Sequence, residues 1–237
     1  MPEAASDGLP IVLVPGLNCS ARLYAEQIPA LWRFGPVTIA DHTRGETIQA
    51  IAARILGAAP PLFALAGLSM GGYIAFEIMR QAPQRVAKLA LMDTGARPET
   101  AEQTARRQAP MALARAGNLM QVADESFVFF VHPDRHADVA LRDVVRAMAE
   151  ETGVQAYLRQ QQAIMTRPDS RPGLSAIACP TLVLVGAQDK GTPPELAQEI
   201  AGSIAGARLV TVPDCGHLST IERPQAVTQA LVEWMQA

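Results

Sequence analysis

Residues 62–79 read LFALAGLSMGGYIAFEIM, and this stretch decides the architecture. Its first part is a short, continuously apolar run, the pattern of a strand buried on both faces of a parallel sheet. Its last part, from Tyr73 to Met79, carries apolar residues at helical spacing. Between them lies Gly67-Leu68-Ser69-Met70-Gly71, a G-x-S-x-G sequence. A serine on so sharp a strand-to-helix turn occupies strained backbone, and Gly67 and Gly71 remove side chains that would collide with neighbouring backbone. The turn also puts Ser69 at the head of a helix, where the Met70 amide and the helix dipole can stabilise a developing negative charge. A nucleotide-binding turn with an incidental serine is the bland alternative, but the stretch has neither G-x-G-x-x-G spacing nor a Walker lysine.

Five further apolar runs recur on either side: IVLV (11–14), VTIA (37–40), LALMD (89–93), TLVLVG (181–186) and RLVTV (208–212). Helix-period segments at 22–33, 46–57, 71–81, 194–204 and 223–236 alternate with them, which implies right-handed βαβ crossovers and an α/β fold. The rhythm breaks between Arg97 and Gly173. There Thr100–Gln108, Met111–Phe130, Ala137–Glu151 and Val154–Met165 all read as helical, bracketed by turn-rich residues 94–98 and 167–173. The chain therefore divides into a strand–helix core of 1–96 and 173–237 with a helical insertion at 97–172. At 237 residues, a single core domain is the default.

Composition excludes several functions. The chain is 49% apolar with a net charge of −3 and scattered basic residues, so it offers no stripe for nucleic acid. No apolar run approaches the ~20 residues of a membrane helix, and the N-terminal residues lack the pattern of a signal peptide. A soluble, cytoplasmic protein is expected. Cys19, Cys179 and Cys215 are an odd set without a CxxC pair, which reads as buried thiols rather than disulfides or a zinc knuckle. A redox role for Cys19 or Cys215, both in loops near the expected site, stays open. Neither metal nor organic cofactor is implied, since no HExxH or similar ligand cluster occurs.

A serine hydroxyl needs a base to take its proton, and histidine has the suitable pKa. His217 follows the last strand and so reaches the carboxyl edge of the sheet, where Ser69 also lies. His132 and His136 fall in the insertion and read as solvated. His42, just after the second strand, reads as surface loop with a place lining the site as the alternative. Two carboxylates reach the same edge to orient the base: Asp189, after TLVLVG, and Asp93, which ends LALMD and equally suits a turn. In the first loop, Val14 to Ser20, the Leu17 amide is the candidate second donor to an oxyanion, with Gly16 allowing close approach.

Together these residues resemble the α/β-hydrolase superfamily, in the chain order Ser…Asp…His. The most specific stretches are GLSMGG (67–72), VGAQDKGTPPE (185–195) and VPDCGHLSTIERP (212–224), and the resemblance covers essentially the whole chain. It implies a catalytic triad of Ser69, Asp189 and His217, favouring Asp189 over Asp93, and it makes residues 97–172 a helical cap. Members usually have eight strands. Because this sequence reaches IVLV by residue 11, the usual first two strands are expected to be missing, leaving a reduced, all-parallel sheet of six. Many relatives carry His-Gly where this chain has Pro15-Gly16, so that histidine's support for the loop is absent. Serine at position 69 also argues against the haloalkane dehalogenases of the superfamily, whose nucleophile is aspartate.

The chemistry implied is acyl transfer on a small-molecule acyl substrate: a small or medium carboxylic ester, thioester or lactone. Met111, Met120, Phe127, Phe129, Phe130 and Tyr157 could form an apolar ceiling, with Phe127, Phe130 and Tyr157 as the pocket candidates. Carbon–carbon bond hydrolysis, perhydrolysis or a lyase step on the same triad are alternatives, as is a non-catalytic ligand-binding homologue. Sequence carries no sign of oligomeric state.

Overall fold

Runs without polar interruption become strands here because helices cover both faces of the sheet. In the computed structural model, which describes residues 8–237, the strands are β1 (Ile11–Val14), β2 (Val37–Ile39), β3 (Phe63–Leu68), β4 (Val86–Met92), β5 (Thr181–Gly186) and β6 (Arg208–Val212). They pair in the order β2-β1-β3-β4-β5-β6, every pair parallel. The sheet is thus the reduced six-stranded one that the sequence implies. β4 begins earlier than its apolar run, at Val86, because the Lys88 ammonium finds the Trp234 carbonyl at 3.2 Å and so fits within a strand.

Alternate residues of the strands feed two cores. Val12, Val14, Leu65, Leu91 and Val183 pack under α2 (Ile48–Ala58), α3 (Met70–Gln81) and α7 (Pro194–Ser203). On the opposite face, Ile11, Leu13, Ala66, Met92 and Leu184 meet Leu31 of the short α1 (Ile28–Leu31) and Val227, Leu231 and Trp234 of α9 (Pro224–Gln236). The chain runs from β1 outward to β2, then returns past β1 to β3. The carboxyl ends of β1 and β3 therefore flank a topological switch point, where ligands gather in open α/β sheets.

Between β4 and β5 lie α4 (Ala101–Arg115), α5 (Leu119–Phe130) and α6 (Val139–Met165), and α8 (Ser219–Glu222) follows β6. Their bounds differ from the sequence reading for local reasons. The segment read as one helix at 111–130 breaks at Gly117, which takes φ +89°. The two segments read at 137–151 and 154–165 join into α6, with Gly153 at φ 74° and ψ 160° marking the kink. The helix read at 22–33 is instead a 3-10 turn at Ala21–Tyr24, the four-residue α1 and a second 3-10 turn ending before Gly35. Buried Gln27 interrupts it by turning its amide to the Thr220 carbonyl at 3.0 Å. Among the described residues no helix is long and apolar enough to cross a membrane.

Two glycines test this packing. A Cβ on Gly186 would overlap the carbonyl oxygen of Gly216, whereas Gly202, in α7, has nothing within 4 Å. Gly186→Ala should cost about 1–3 kcal/mol and lower the melting temperature by roughly 2–12 °C. Gly202→Ala should raise it by about 1–4 °C through helix propensity. Thermal melts followed by circular dichroism decide, and equal melting points for the two variants would refute the close approach.

Candidate active site

Ser69 sits at φ 55°, ψ −114°, a left-handed backbone that costs a non-glycine residue on the order of 1–3 kcal/mol. Its surroundings hold it there. The Ser69 amide donates to the Met92 carbonyl at 2.9 Å, and the Thr94 hydroxyl donates to the Ser69 carbonyl at 2.8 Å. A Cβ on Gly67 would strike the Gly71 carbonyl, one on Gly71 the Val14 carbonyl, and one on Gly72 the Thr94 side chain. The flanking glycines singled out by sequence are thus required by contact, and Gly72 joins them.

His217 bridges the serine to a carboxylate. Its Nε2 is 2.8 Å from Ser69 Oγ and its Nδ1 is 2.8 Å from Asp189 Oδ2. Asp189 also accepts from the Gly191 amide at 2.7 Å, the Thr192 amide at 2.9 Å and the Thr192 hydroxyl at 2.8 Å. Burial pushes the Asp189 pKa up, but the charge and hydrogen bond of His217 and the Thr192 donors outweigh it and hold the carboxyl below its usual range. For His217, burial pulls the pKa down while the Asp189 charge and hydrogen bond pull it up, and the net shift is upward.

Asp93, the other candidate acid, does not touch the imidazole. One of its oxygens accepts from the Gly186 amide at 2.9 Å and the other from the Ser219 hydroxyl. Fully buried beside the Asp189 charge, it has a pKa pushed well above the carboxylate range. Two acids at one sheet edge are therefore driven apart in protonation, Asp189 toward the anion and Asp93 toward the neutral acid.

Glu222 escaped sequence reasoning altogether. Buried in α8, it accepts from the amides of Gly216 (3.0 Å), Leu218 (2.9 Å) and His132 (2.8 Å), so one carboxylate clamps both neighbours of His217. Phe130, at the end of α5, stacks on the His217 ring at 4.7 Å between centroids and accepts the His217 amide on its carbonyl at 2.8 Å. The ties from Glu222 to Gly216 and Leu218 are local, whereas those to His132 and between Phe130 and His217 join residues far apart in the chain.

The first loop is pinned by hydrogen bonds from several directions. The Tyr24 hydroxyl donates to the Val14 carbonyl (2.9 Å), the Cys19 thiol to the Leu17 carbonyl (3.3 Å) and the Thr152 hydroxyl to the Cys19 carbonyl (3.3 Å). The Asn18 amide donates to Gln160 Oε1 at 3.0 Å. The amides of Leu17 and Met70 have no partner among the described residues, Met70 being the first residue of α3. A Cβ on Gly16 would stand 3.4 Å from that of Ser69, so the loop lies directly against the serine.

The histidines other than His217 depart from expectation. His42 is buried, not surface, and its Nε2 lies 2.8 Å from the Gly16 carbonyl. A carbonyl can only accept, so Nε2 carries the hydrogen, and burial lowers the ring's pKa toward the neutral form that donates there. The support missing at Pro15 is thus supplied from the end of β2, a contact between segments that no local pattern encodes. His132 and His136 are partly buried rather than solvated: His132 caps the turn at Pro133–Arg135, and His136 Nε2 meets the Val131 carbonyl at 3.1 Å.

A cavity of about 430 Å³ opens over Ser69 and His217 and is lined in part by residues of α4, α5 and α6. Phe130 and Tyr157 border it. Phe127 does not: it is fully buried below α6, packed with Leu141, Val145 and Met148, with the Arg142 guanidinium 5.0 Å from its ring. Phe129 and Phe130, two and three residues further along the same helix, do line the cavity. Met111 joins Tyr157 in a separate cluster with Met120 against it, and neither methionine borders the cavity. Burial pushes the Cys19 thiol up to about 12 and raises Cys215 as well, so both stay protonated thiols rather than reactive thiolates.

Comparison with known proteins shows the family and the fold. The model of a family described as the alpha/beta hydrolase family matches residues 11–230. A thermophilic esterase from Thermogutta terrifontis superposes with a TM-score of 0.86 at 30% identity, covering 97% of this chain and 90% of that one. The enol-lactonase of Burkholderia xenovorans gives 0.89 at 26% identity, covering 99% and 94%. A pimeloyl-[acyl-carrier protein] methyl ester esterase from Aromatoleum aromaticum is 27% identical over 77% of each chain.

The charge balance at His217 can be read directly. Its imidazole should titrate above the ordinary 6.5 in nitrogen NMR, because the Asp189 anion stabilises the imidazolium. Asp189→Asn removes that anion while burial remains, so the midpoint should fall. A wild-type midpoint at or below 6.5 would contradict the pairing.

Proposed function

The chain belongs to the alpha/beta hydrolase family, and on that premise we propose that it cleaves small or medium carboxylic esters through an acyl-enzyme on Ser69. The observation that carries this reading is the unbroken chain Ser69 Oγ, His217, Asp189, with both hydrogen bonds at 2.8 Å. In the first step Ser69 Oγ attacks the ester carbonyl while its proton passes to His217 Nε2. The negative charge that develops on the carbonyl oxygen is held by the Leu17 and Met70 amides, which are fixed before reaction and need no reorganisation. His217 then protonates the departing alkoxide. In the second step it takes a proton from water, whose oxygen attacks the acyl carbon; as the bond from that carbon to Ser69 Oγ breaks, His217 returns the proton to Oγ, releasing the acid and the free serine hydroxyl. Asp189 keeps Nδ1 protonated and stabilises the imidazolium in both steps.

Residues 97–172 act in this reading as a cap, whose helices exclude bulk water from the acyl site and set its shape. The relatives named as an esterase, an enol-lactonase and a methyl ester esterase all support an acyl–oxygen bond as the target. His42, Gln160 and Thr152 serve as positioning residues for the loop that presents the Leu17 amide.

A p-nitrophenyl ester series from acetyl to long acyl chains tests the nucleophile. Wild type should turn over the short members, and Ser69→Ala should lose at least several hundredfold in kcat, with fluorophosphonate labelling confined to Ser69. Equal activity in the two proteins would overturn the assignment. The profile of kcat/KM should rise with pH through a midpoint above 6.5, since His217 accepts a proton only once it has lost its own.

His42→Leu should lower kcat by about tenfold to a hundredfold with little change in KM, because a misplaced oxyanion donor is felt mainly in the transition state. His42→Gln, which can again donate to the Gly16 carbonyl, should recover most of the loss. Failure of that rescue would assign His42 a packing role only.

A further inference from the structure

The part of the cavity wall formed by α4 and α6 contains a hydrogen-bond relay whose polarity is forced from one end. Arg107 Nη1 is 2.9 Å from the side-chain amide of Gln161. A guanidinium can only donate, so the Gln161 atom facing it is the oxygen. Gln161 therefore turns its amide nitrogen to the Tyr157 hydroxyl, 2.7 Å away. An amide nitrogen can only donate in turn, so the Tyr157 oxygen accepts and its hydrogen points elsewhere.

Among the described residues that hydroxyl donates to nothing, yet Tyr157 is only 2% exposed and borders the cavity over Ser69. A buried donor without an acceptor is costly unless a ligand supplies one. The charges behind the relay lean the same way. Arg107 and Arg167 share the single carboxylate of Glu99, whose side chain is 2% exposed, so two guanidinium groups meet one anion at this wall. Arg167 further lies over the ring of Tyr73, 4.5 Å from its centroid, and Tyr73 also lines the cavity.

We propose that Tyr157 is a specificity-determining hydrogen-bond donor that selects acyl groups bearing an oxygen acceptor, carboxylate or ketone, away from the scissile carbonyl. The proposal rests on the ester-hydrolase reading above, and it narrows the substrate from a plain apolar ester to one whose acyl chain ends in, or carries, a second carbonyl function. The apolar walls take the methylene chain, the Tyr157 hydroxyl donates to its far oxygen, and the scissile carbonyl remains at Ser69. The positive excess behind the relay favours the carboxylate form of that acceptor over the ketone.

The test compares p-nitrophenyl half-esters of diacids from succinate to suberate with fatty esters of equal length, and 5-oxohexanoate with hexanoate. Wild type should prefer the acceptor-bearing member of at least one length-matched pair, by about tenfold to a hundredfold in kcat/KM. Tyr157→Phe should reduce that preference about tenfold or more. Gln161→Leu, which removes the group that orients the hydroxyl but leaves the ring in place, should reduce it as well. Preference for the diacid half-esters alone points to a carboxylate, and an equal gain for 5-oxohexanoate to any carbonyl oxygen. No preference in wild type, or one that survives Tyr157→Phe in a protein that melts like wild type, overturns the proposal. Turnover of the fatty esters that persists in Ser69→Ala overturns the ester-hydrolase reading instead.

Discussion

Everything at the carboxyl edge of the sheet depends on one strained residue. Ser69 is held in a left-handed backbone because α3 begins immediately after β3 and must pass within van der Waals contact of β1. That approach is open only to a residue without a Cβ, hence Gly71 against Val14, and the same turn needs Gly67 against Gly71 and Gly72 against Thr94. The strain on the order of 1–3 kcal/mol is stored locally and offset by the two cores that clamp the sheet on either face. Its return is geometric: the hydroxyl stands clear of the sheet, facing His217, while the first free amide of the helix stays beside it.

A second layer of constraint is electrostatic. Three buried acids surround His217, and each is satisfied differently. Asp189 accepts the imidazole and three donors from the turn after β5; Asp93 takes one backbone amide and a serine hydroxyl; Glu222 collects three backbone amides. Asp189 and Asp93 lie too close to ionise together cheaply, and of these two the one paired with His217 is held charged. Asp93 and Glu222 then serve as fasteners between β4, β5 and the loop that carries His217.

The helices between β4 and β5 are tied into this edge rather than laid across it. Thr152 and Gln160 of α6 bond the loop that faces Ser69, and Phe130 of α5 stacks on His217. Movement of these helices would therefore disturb the oxyanion-facing loop and the base together. The Thermogutta esterase and the Burkholderia enol-lactonase superpose on this chain at 26–30% identity, and one fold can host many chemistries through such loop and helix contacts.

Sequence alone determined the α/β class, the six parallel strands, the serine and histidine that meet at the sheet edge, and two aspartates there, between which resemblance to a family favoured Asp189. Those are legible because continuous apolar runs, G-x-S-x-G and the residues that end strands are local patterns, each imposed by the geometry of a single element. Tertiary structure decided the rest. It took His42 from an expected surface loop to the Gly16 carbonyl, separated Asp93 from the imidazole, and rotated Phe127 away from the cavity while leaving Phe130 and Tyr157 at its wall. Each of these outcomes turns on a contact between segments distant in the chain, or on the phase of one helix against another. A single side chain's identity carries no record of either, because burial and hydrogen-bond partners are properties of the packed whole.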